Sequence, residues 1–257
     1  MEAESRKGAL ILARPYRAAL FFWILFFLFN VMGGIIGFPL LGEPALLVTL
    51  AALVTAAGGL FMVWYLGWWQ RAGYAFLGRI ADLPLYLLPA AVAFLPLFEV
   101  TTPTSSGTVA IFVILSLVVA LAEETFFRGL ILQSLRPAGV LPAVLVSSLL
   151  FALPHLLNSL GGMWDPVFTL VDTFAAFGIG IVFSALVLRT GTIWPPIVLH
   201  ALINAIGFSV LGSLTVPPQS PEQLAATVVA GVVMAAYGLF LLRGLPREPV
   251  SAVPDDS

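Results

Sequence analysis

The chain has 257 residues, of which 60% are hydrophobic and only 9% charged, with a mean hydropathy of +1.07. Soluble domains carry about 45–50% apolar and about 25% charged residues, so this composition excludes a soluble globular domain and identifies an integral membrane protein. A net charge of -2 without any run of like charges argues against nucleic acid and against a polybasic lipid contact, and the absence of cysteine removes disulfides, thiolate metal sites and a cysteine nucleophile.

The first twenty residues, MEAESRKGALILARPYRAAL, set a basic patch before an apolar stretch, as a signal peptide does. The stretch from Ala18 to Phe38 is nevertheless long enough to span a bilayer and no small-residue cleavage pattern follows, so it reads as a retained first helix. Punctuation by Gly, Pro and charge divides the rest, and spans are expected near 18–39, 44–66, 83–99, 108–135, 141–158, 166–188, 193–212 and 223–242. The fold class is therefore an all-α polytopic bundle of about eight membrane-spanning helices. Pro84, Pro89 and Pro96 interrupt the third span, which predicts a kinked or partly re-entrant helix. Residues 67 to 82 read as a short basic link, and the tail LPREPVSAVPDDS, being polar and Pro-containing, is expected to be disordered.

Charge placement tests this division independently. With the N-terminus on the cytoplasmic side, Arg6, Lys7, Arg14, Arg17, Arg71, Arg79, Arg136, Arg189, Arg243 and Arg247 all fall in inside loops or termini, and the outside loops carry no Lys or Arg. That bias predicts an even number of spans with both termini inside.

The exception is Arg128. The apolar run VAIFVILSLVVALA leads into EETFFRG, residues 123 to 129, which places two carboxylates and a guanidinium within the fourth span. Such groups are costly in a bilayer and face a bundle interior or a wet cavity, so they are functional candidates by default. Glu124 and Arg128 stand at i and i+4, where they can pair; Glu123 points about 100° away and is the carboxylate left for chemistry. The bland alternative is a helix end whose charges sit at the cytoplasmic surface. The chain's two histidines both fall inside spans, His155 in FALPHLLN and His200 in IVLHALIN. Asn204, four residues after His200, shares its helix face, and an amide with an imidazole can donate hydrogen bonds to a developing oxyanion. At about 1.5 Å per residue, Glu123 lies about 18 Å, His155 about 21 Å and His200 about 11 Å from the cytoplasmic ends of their spans. Tilts, or breaks at Pro154 or at Pro195 and Pro196, are needed to bring them level.

EETFFRG, SSLLFALPHL and TGTIWPPIVLHALINAI resemble, in order and spacing, the EExxxR, FxxxH and HxxxN motifs of the CPBP family of intramembrane CAAX-type proteases and bacteriocin-processing enzymes. The resemblance implies a helical membrane core with a polar cavity opening toward the cytosol, in which a glutamate activates water for peptide-bond hydrolysis. Carried onto this chain, it makes Glu123 the water-activating carboxylate, with Glu124 and Arg128 completing the first motif. His155 helps hold or activate that water, and His200 with Asn204 stabilises the tetrahedral oxyanion. Phe151 packs. It leaves open both a divalent metal such as zinc, for which Glu123, His155 and His200 are the candidate ligands, and a metal-independent mechanism. The implied partners are membrane lipid and a peptide or protein substrate, prenylated on the CAAX branch, with no nucleic acid; the implied location is a bacterial plasma membrane. The chain then divides into a cytoplasmic segment (1–17), N-terminal helices (18–104), a CPBP-like core (105–212), a C-terminal helix (213–243) and a cytoplasmic tail (244–257).

Other marked residues have plainer readings. Asp172, near the outer end of its span, is expected to sit at the surface or pair helices. The stretches GGIIG and FGIGIVF resemble helix-packing faces, and Trp64, Trp68 and Trp69 an interfacial aromatic belt. Two rivals to a protease remain, a non-catalytic scaffold or bacteriocin immunity protein and a proton-relaying transporter, although the inverted repeats expected of the latter are not visible.

Overall fold

The computed structural model describes residues 8, 11–40, 42–99, 104–160 and 162–245. Arg6, Lys7, Arg247 and the tail expected to be disordered lie outside the described residues, apart from Leu245. Among the described residues eight helices are long and apolar enough to cross a membrane: α1 (Pro15–Gly37), α2 (Pro44–Leu66), α3 (Ile80–Leu97), α4 (Ser106–Ala138), α5 (Val140–Leu160), α6 (Pro166–Thr190), α7 (Trp194–Leu211) and α8 (Pro221–Leu241). No strand occurs among the described residues, only an isolated bridge between Trp164 and Val216. The chain is a multi-pass membrane protein.

Local chemistry sets the helix ends. Proline occupies the first or second position of α1, α2, α6, α7 and α8, where a missing N–H leaves no intrahelical bond unmade. Ser105 caps α4 and Asp165 caps α6 through side-chain acceptors, and Ser220 with Gln223 forms a capping box on α8. Pro195 and Pro196 therefore start α7 and do not break it, which corrects one route by which His200 was to be brought level with Glu123. The prolines of α3 do interrupt it: 3-10 turns run over Ile80–Tyr86 and from Leu95 onward, with only Leu87–Ala93 α-helical between them. α5 likewise tightens to a 3-10 turn at Leu153–Leu156, around Pro154.

α6 is the most buried span and packs along α5 and α8, while α4 packs along α2 and α7 and α1 along α2. Small residues permit these approaches. A Cβ on Gly178 would collide with the carbonyl oxygen of Gly231 in α8, and one on Gly33 would lie 2.5 Å from Cα of Ala51 in α2, so both glycine-rich stretches are packing faces. On the outside, α1 exposes Leu20, Ile24, Leu28, Val31 and Ile35 along one face, an apolar ridge of the kind that faces lipid.

The described basic residues of the connections gather at one end of the bundle. Arg189, at the end of α6, donates to the carbonyls of Leu241 and Arg243 at the end of α8, and the link carrying Arg71 and Arg79 bonds to the α6–α7 turn through Ile193 N–H and Gly73 O. That link folds inward at Gly67, whose φ of +68° suits glycine, and it buries Trp68 to 1% exposure against Phe22. Trp64 and Trp69 are exposed as an interfacial belt requires, but Trp68 is a core residue.

Candidate functional site

The site begins with an irregularity in α4. After Glu124 the helix widens into a π-helical stretch, Thr125–Ile131, before returning to α-helical turns. Side chains satisfy carbonyls along it, Gln133 donating to Arg128 O and Ser147 of α5 to Phe127 O. Glu124 and Arg128 pair at 2.9 Å, as their spacing predicts, and both are fully buried. The guanidinium also donates to Gly180 O of α6, lies 4.2 Å from the ring centroid of Phe151 and 5.5 Å from that of Phe183. A carboxylate, a carbonyl and two aromatic faces thus replace part of the water a buried cation loses, while Arg128 Nε keeps no hydrogen-bond partner among the described residues. The reading of these charges as a surface helix end is overturned for this pair.

His200 reaches the same carboxylate. Its Nδ1 lies 2.8 Å from Glu124 Oε1, and its Nε2 lies 3.8 Å from Glu123 Oε2. The depth mismatch read from the sequence is resolved by where α7 starts. A Cβ on Gly129 would touch Ile193 and Ala72, so the foot of α7 is level with Gly129, nine residues short of Ala138 at the end of α4. At 1.5 Å per residue this lifts α7 by about 14 Å from Ala138, or about 9 Å from residue 135, the end from which the depth of Glu123 was counted, which puts His200 at about 20 Å against about 18 Å. The inward-folded link holds it there: Ile193 N–H donates to Gly73 O at 3.1 Å and the Trp194 indole to Tyr74 O at 3.2 Å. The Tyr74 hydroxyl bonds to Thr125, the neighbour of Glu124. Because the single Thr125 hydroxyl hydrogen is directed to Leu121 O, Tyr74 is the donor. Burial pushes the Tyr74 phenol up to about 12, against the pull of its Thr125 bond and with the added push of the Glu124 charge, so the donor stays protonated.

The remaining candidates lie around this cluster. Glu123 and His155 are 24% and 23% exposed, whereas Glu124 and Arg128 are 0% and His200 is 6%, so the first two are the groups open to a small molecule. Glu123 is near enough to His155 for their charges to interact. Phe151 stands between the two imidazoles, edge to face with each, at 5.6 Å from His155 and 5.7 Å from His200, so it packs as expected. Asn204 makes no hydrogen bond among the described residues and lines a cavity of about 460 Å³ with Trp164, Phe168, Asp172, Ile203 and Met234. That cavity is mainly apolar, does not include Glu123, His155 or His200 in its wall, and lies toward the end of the bundle opposite the arginines.

Sequence reasoning missed two residues. Asp172 does pair helices, but its partner is the site histidine: Oδ2 lies 2.7 Å from His155 Nδ1. A carboxylate 17 residues from a histidine, on the next span, gives no local signal. Tyr74 was hidden in a link read only as short, basic and cytoplasmic. As for a metal, among the described residues no three His, Asp or Glu side chains are grouped to hold an ion, although the carboxylates at Nδ1 leave Nε2 of each histidine as the nitrogen a ligand would meet. Glu123, His155 and His200 do not form a ligand set as they stand.

Residues 105–206, which span α4 to most of α7 and include every charged or polar group named in the three motifs, match the family of type II CAAX prenyl endopeptidase Rce1-like proteins. No curated protein and no solved structure matches the chain. Through this segment, which is less than half of the chain, the protein is similar to the Rce1-like, CPBP/CAAX-type family.

Proposed function

We propose that this protein is an intramembrane endopeptidase in which Glu123 activates water against a peptide bond. The family is one of proteases, and the observation that carries the finer reading is the division of labour between adjacent carboxylates: Glu124 buried and shared by Arg128 and His200, Glu123 partly open beside the imidazoles. Glu123 takes a proton from water while the hydroxyl oxygen bonds to the carbonyl carbon. The tetrahedral oxyanion that forms is met by His200 and Asn204, and when the C–N bond breaks, Glu123 returns the proton to the leaving nitrogen. To donate from Nε2 while Nδ1 donates to Glu124, His200 must carry both protons.

The substrate is a peptide or protein segment presented at the membrane, prenylated if this chain follows the CAAX branch of that family. The gathering of the arginines at one end supports an orientation with that end, and hence both termini, in the cytoplasm of a bacterial plasma membrane. The test is cleavage of lipidated and unlipidated membrane peptides by the purified protein in detergent, wild type against Glu123→Gln, with and without a chelator. Cleavage by wild type alone supports the reading; equal cleavage by the two proteins removes Glu123 as the base, and no cleavage by either favours a non-catalytic scaffold. Loss of wild-type cleavage with chelator would return a metal to the mechanism.

A further inference from the structure

Asp172 lies outside the three motifs, yet it makes the shortest contact to either histidine. It stands in the second turn of α6, and His155 in the 3-10 turn that Pro154 imposes on α5. The imidazole is fixed on three sides: Asp172 at Nδ1, the Phe151 ring with centroids 5.6 Å apart, and the Trp164 ring at 6.5 Å. A carboxylate only accepts hydrogen bonds, so the hydrogen in the 2.7 Å contact belongs to Nδ1 when Asp172 is ionised. A neutral His155 then has its lone pair on Nε2. That atom can accept a hydrogen bond from water but cannot donate one.

This is the reverse of what the oxyanion partner requires. His200 has a carboxylate facing each ring nitrogen, Glu124 at Nδ1 and Glu123 at Nε2; His155 has Asp172 at Nδ1 and leaves Nε2 without a hydrogen-bond partner among the described residues. The neighbouring carboxylates thus assign different tasks to the chain's two histidines.

We propose that Asp172 is a positioning residue of the hydrolytic site, holding His155 in the Nδ1–H form so that Nε2 accepts a hydrogen bond from the water that Glu123 deprotonates. The inference rests on the peptidase reading for its catalytic consequence, but the hold on the imidazole stands on geometry alone. Truncating Asp172 lets the ring turn and populate the other tautomer, which points an N–H at the water and opposes its alignment. Turnover falls through the chemical step, while substrate binding is little changed.

The experiment uses the full-length protein in detergent with 15N-labelled histidine. Only two imidazoles contribute to the spectrum, and His200→Asn assigns them. In wild type the His155 signals should show a protonated Nδ1 and a bare Nε2, and Asp172→Ala should mix the tautomers while leaving those of His200 in place. In peptide cleavage, Asp172→Ala should lower kcat by about 10- to 100-fold with KM within about twofold, and Asp172→Glu should recover part of the loss. A wild-type His155 with a bare Nδ1, or an Asp172→Ala protein with unchanged tautomer and kcat, overturns the proposal. Should Asp172→Ala fail to fold, the wild-type spectrum and Asp172→Glu still decide it. If no peptide is cleaved by wild type while the spectra behave as stated, the hydrolase reading fails and the positioning of His155 survives.

Discussion

The two carboxylate–imidazole pairs of this bundle use the same bond in opposite settings. Glu124 and His200 join α4 to α7 at 2.8 Å, in a place where Arg128 shares the carboxylate and almost nothing is exposed. His155 and Asp172 join α5 to α6 at 2.7 Å with both side chains 23% exposed. A buried ion pair is an indifferent source of net stability but a demanding one to break, because the survivor is left charged without a partner. An accessible pair tolerates loss of a partner and is free to meet a ligand. The inner pair is thus suited to anchoring and the outer pair to contact with substrate and water.

The sharpest way to break this contrast is at the anchor. Arg128→Met should destabilise the protein by about 3–5 kcal/mol, since Glu124 would remain buried without its guanidinium; thermal unfolding in detergent measures this. If Asn204 is the oxyanion donor we propose, Asn204→Ala should lower turnover by about 100- to 1000-fold at nearly wild-type melting temperature, separating a reactive group from an anchoring one.

The link that lifts α7 offers a graded test. Gly73 has φ +85°, and a Cβ there would lie 2.8 Å from Ile193 N, so Gly73→Ala should cost about 1–3 kcal/mol and reduce turnover together with stability as the foot of α7 shifts. Tyr74→Phe should cost about 1 kcal/mol, the worth of one hydrogen bond. Its pH signature is specific. Folding raises the Tyr74 pKa from 10.0 to about 12, so its contribution is complete below pH 10 and lost as pH rises through about 12. Wild type should therefore lose more stability than Tyr74→Phe across that window, as thermal scans at alkaline pH would read.

The spans were legible because apolar length and Pro or Gly punctuation are local properties, and so was the Glu124–Arg128 pair, which needs only helical spacing. The height of His200 was not legible. Counting residues from the start of α7 assumed that all helices begin at one level, whereas the link through Trp68, Ala72 and Gly73 folds into the bundle and raises that start. The same fold explains the misreading of Trp68: three tryptophans near a span end suggest an interface, but the turn at Gly67 sends one of them inward. Asp172 was read as a surface or helix-pairing residue, but its partner His155 escaped notice because nothing local in the sequence shows which helix lies beside it.

Glu123 and Glu124 are adjacent in sequence, and the central claim is that they do different work. Cleavage rate and melting temperature measured together for Glu123→Gln and Glu124→Gln test this directly. Glu123→Gln should lose cleavage by at least about 100-fold with its melting temperature unchanged, while Glu124→Gln should lose stability first. A Glu123→Gln protein that cleaves at the wild-type rate would contradict the claim.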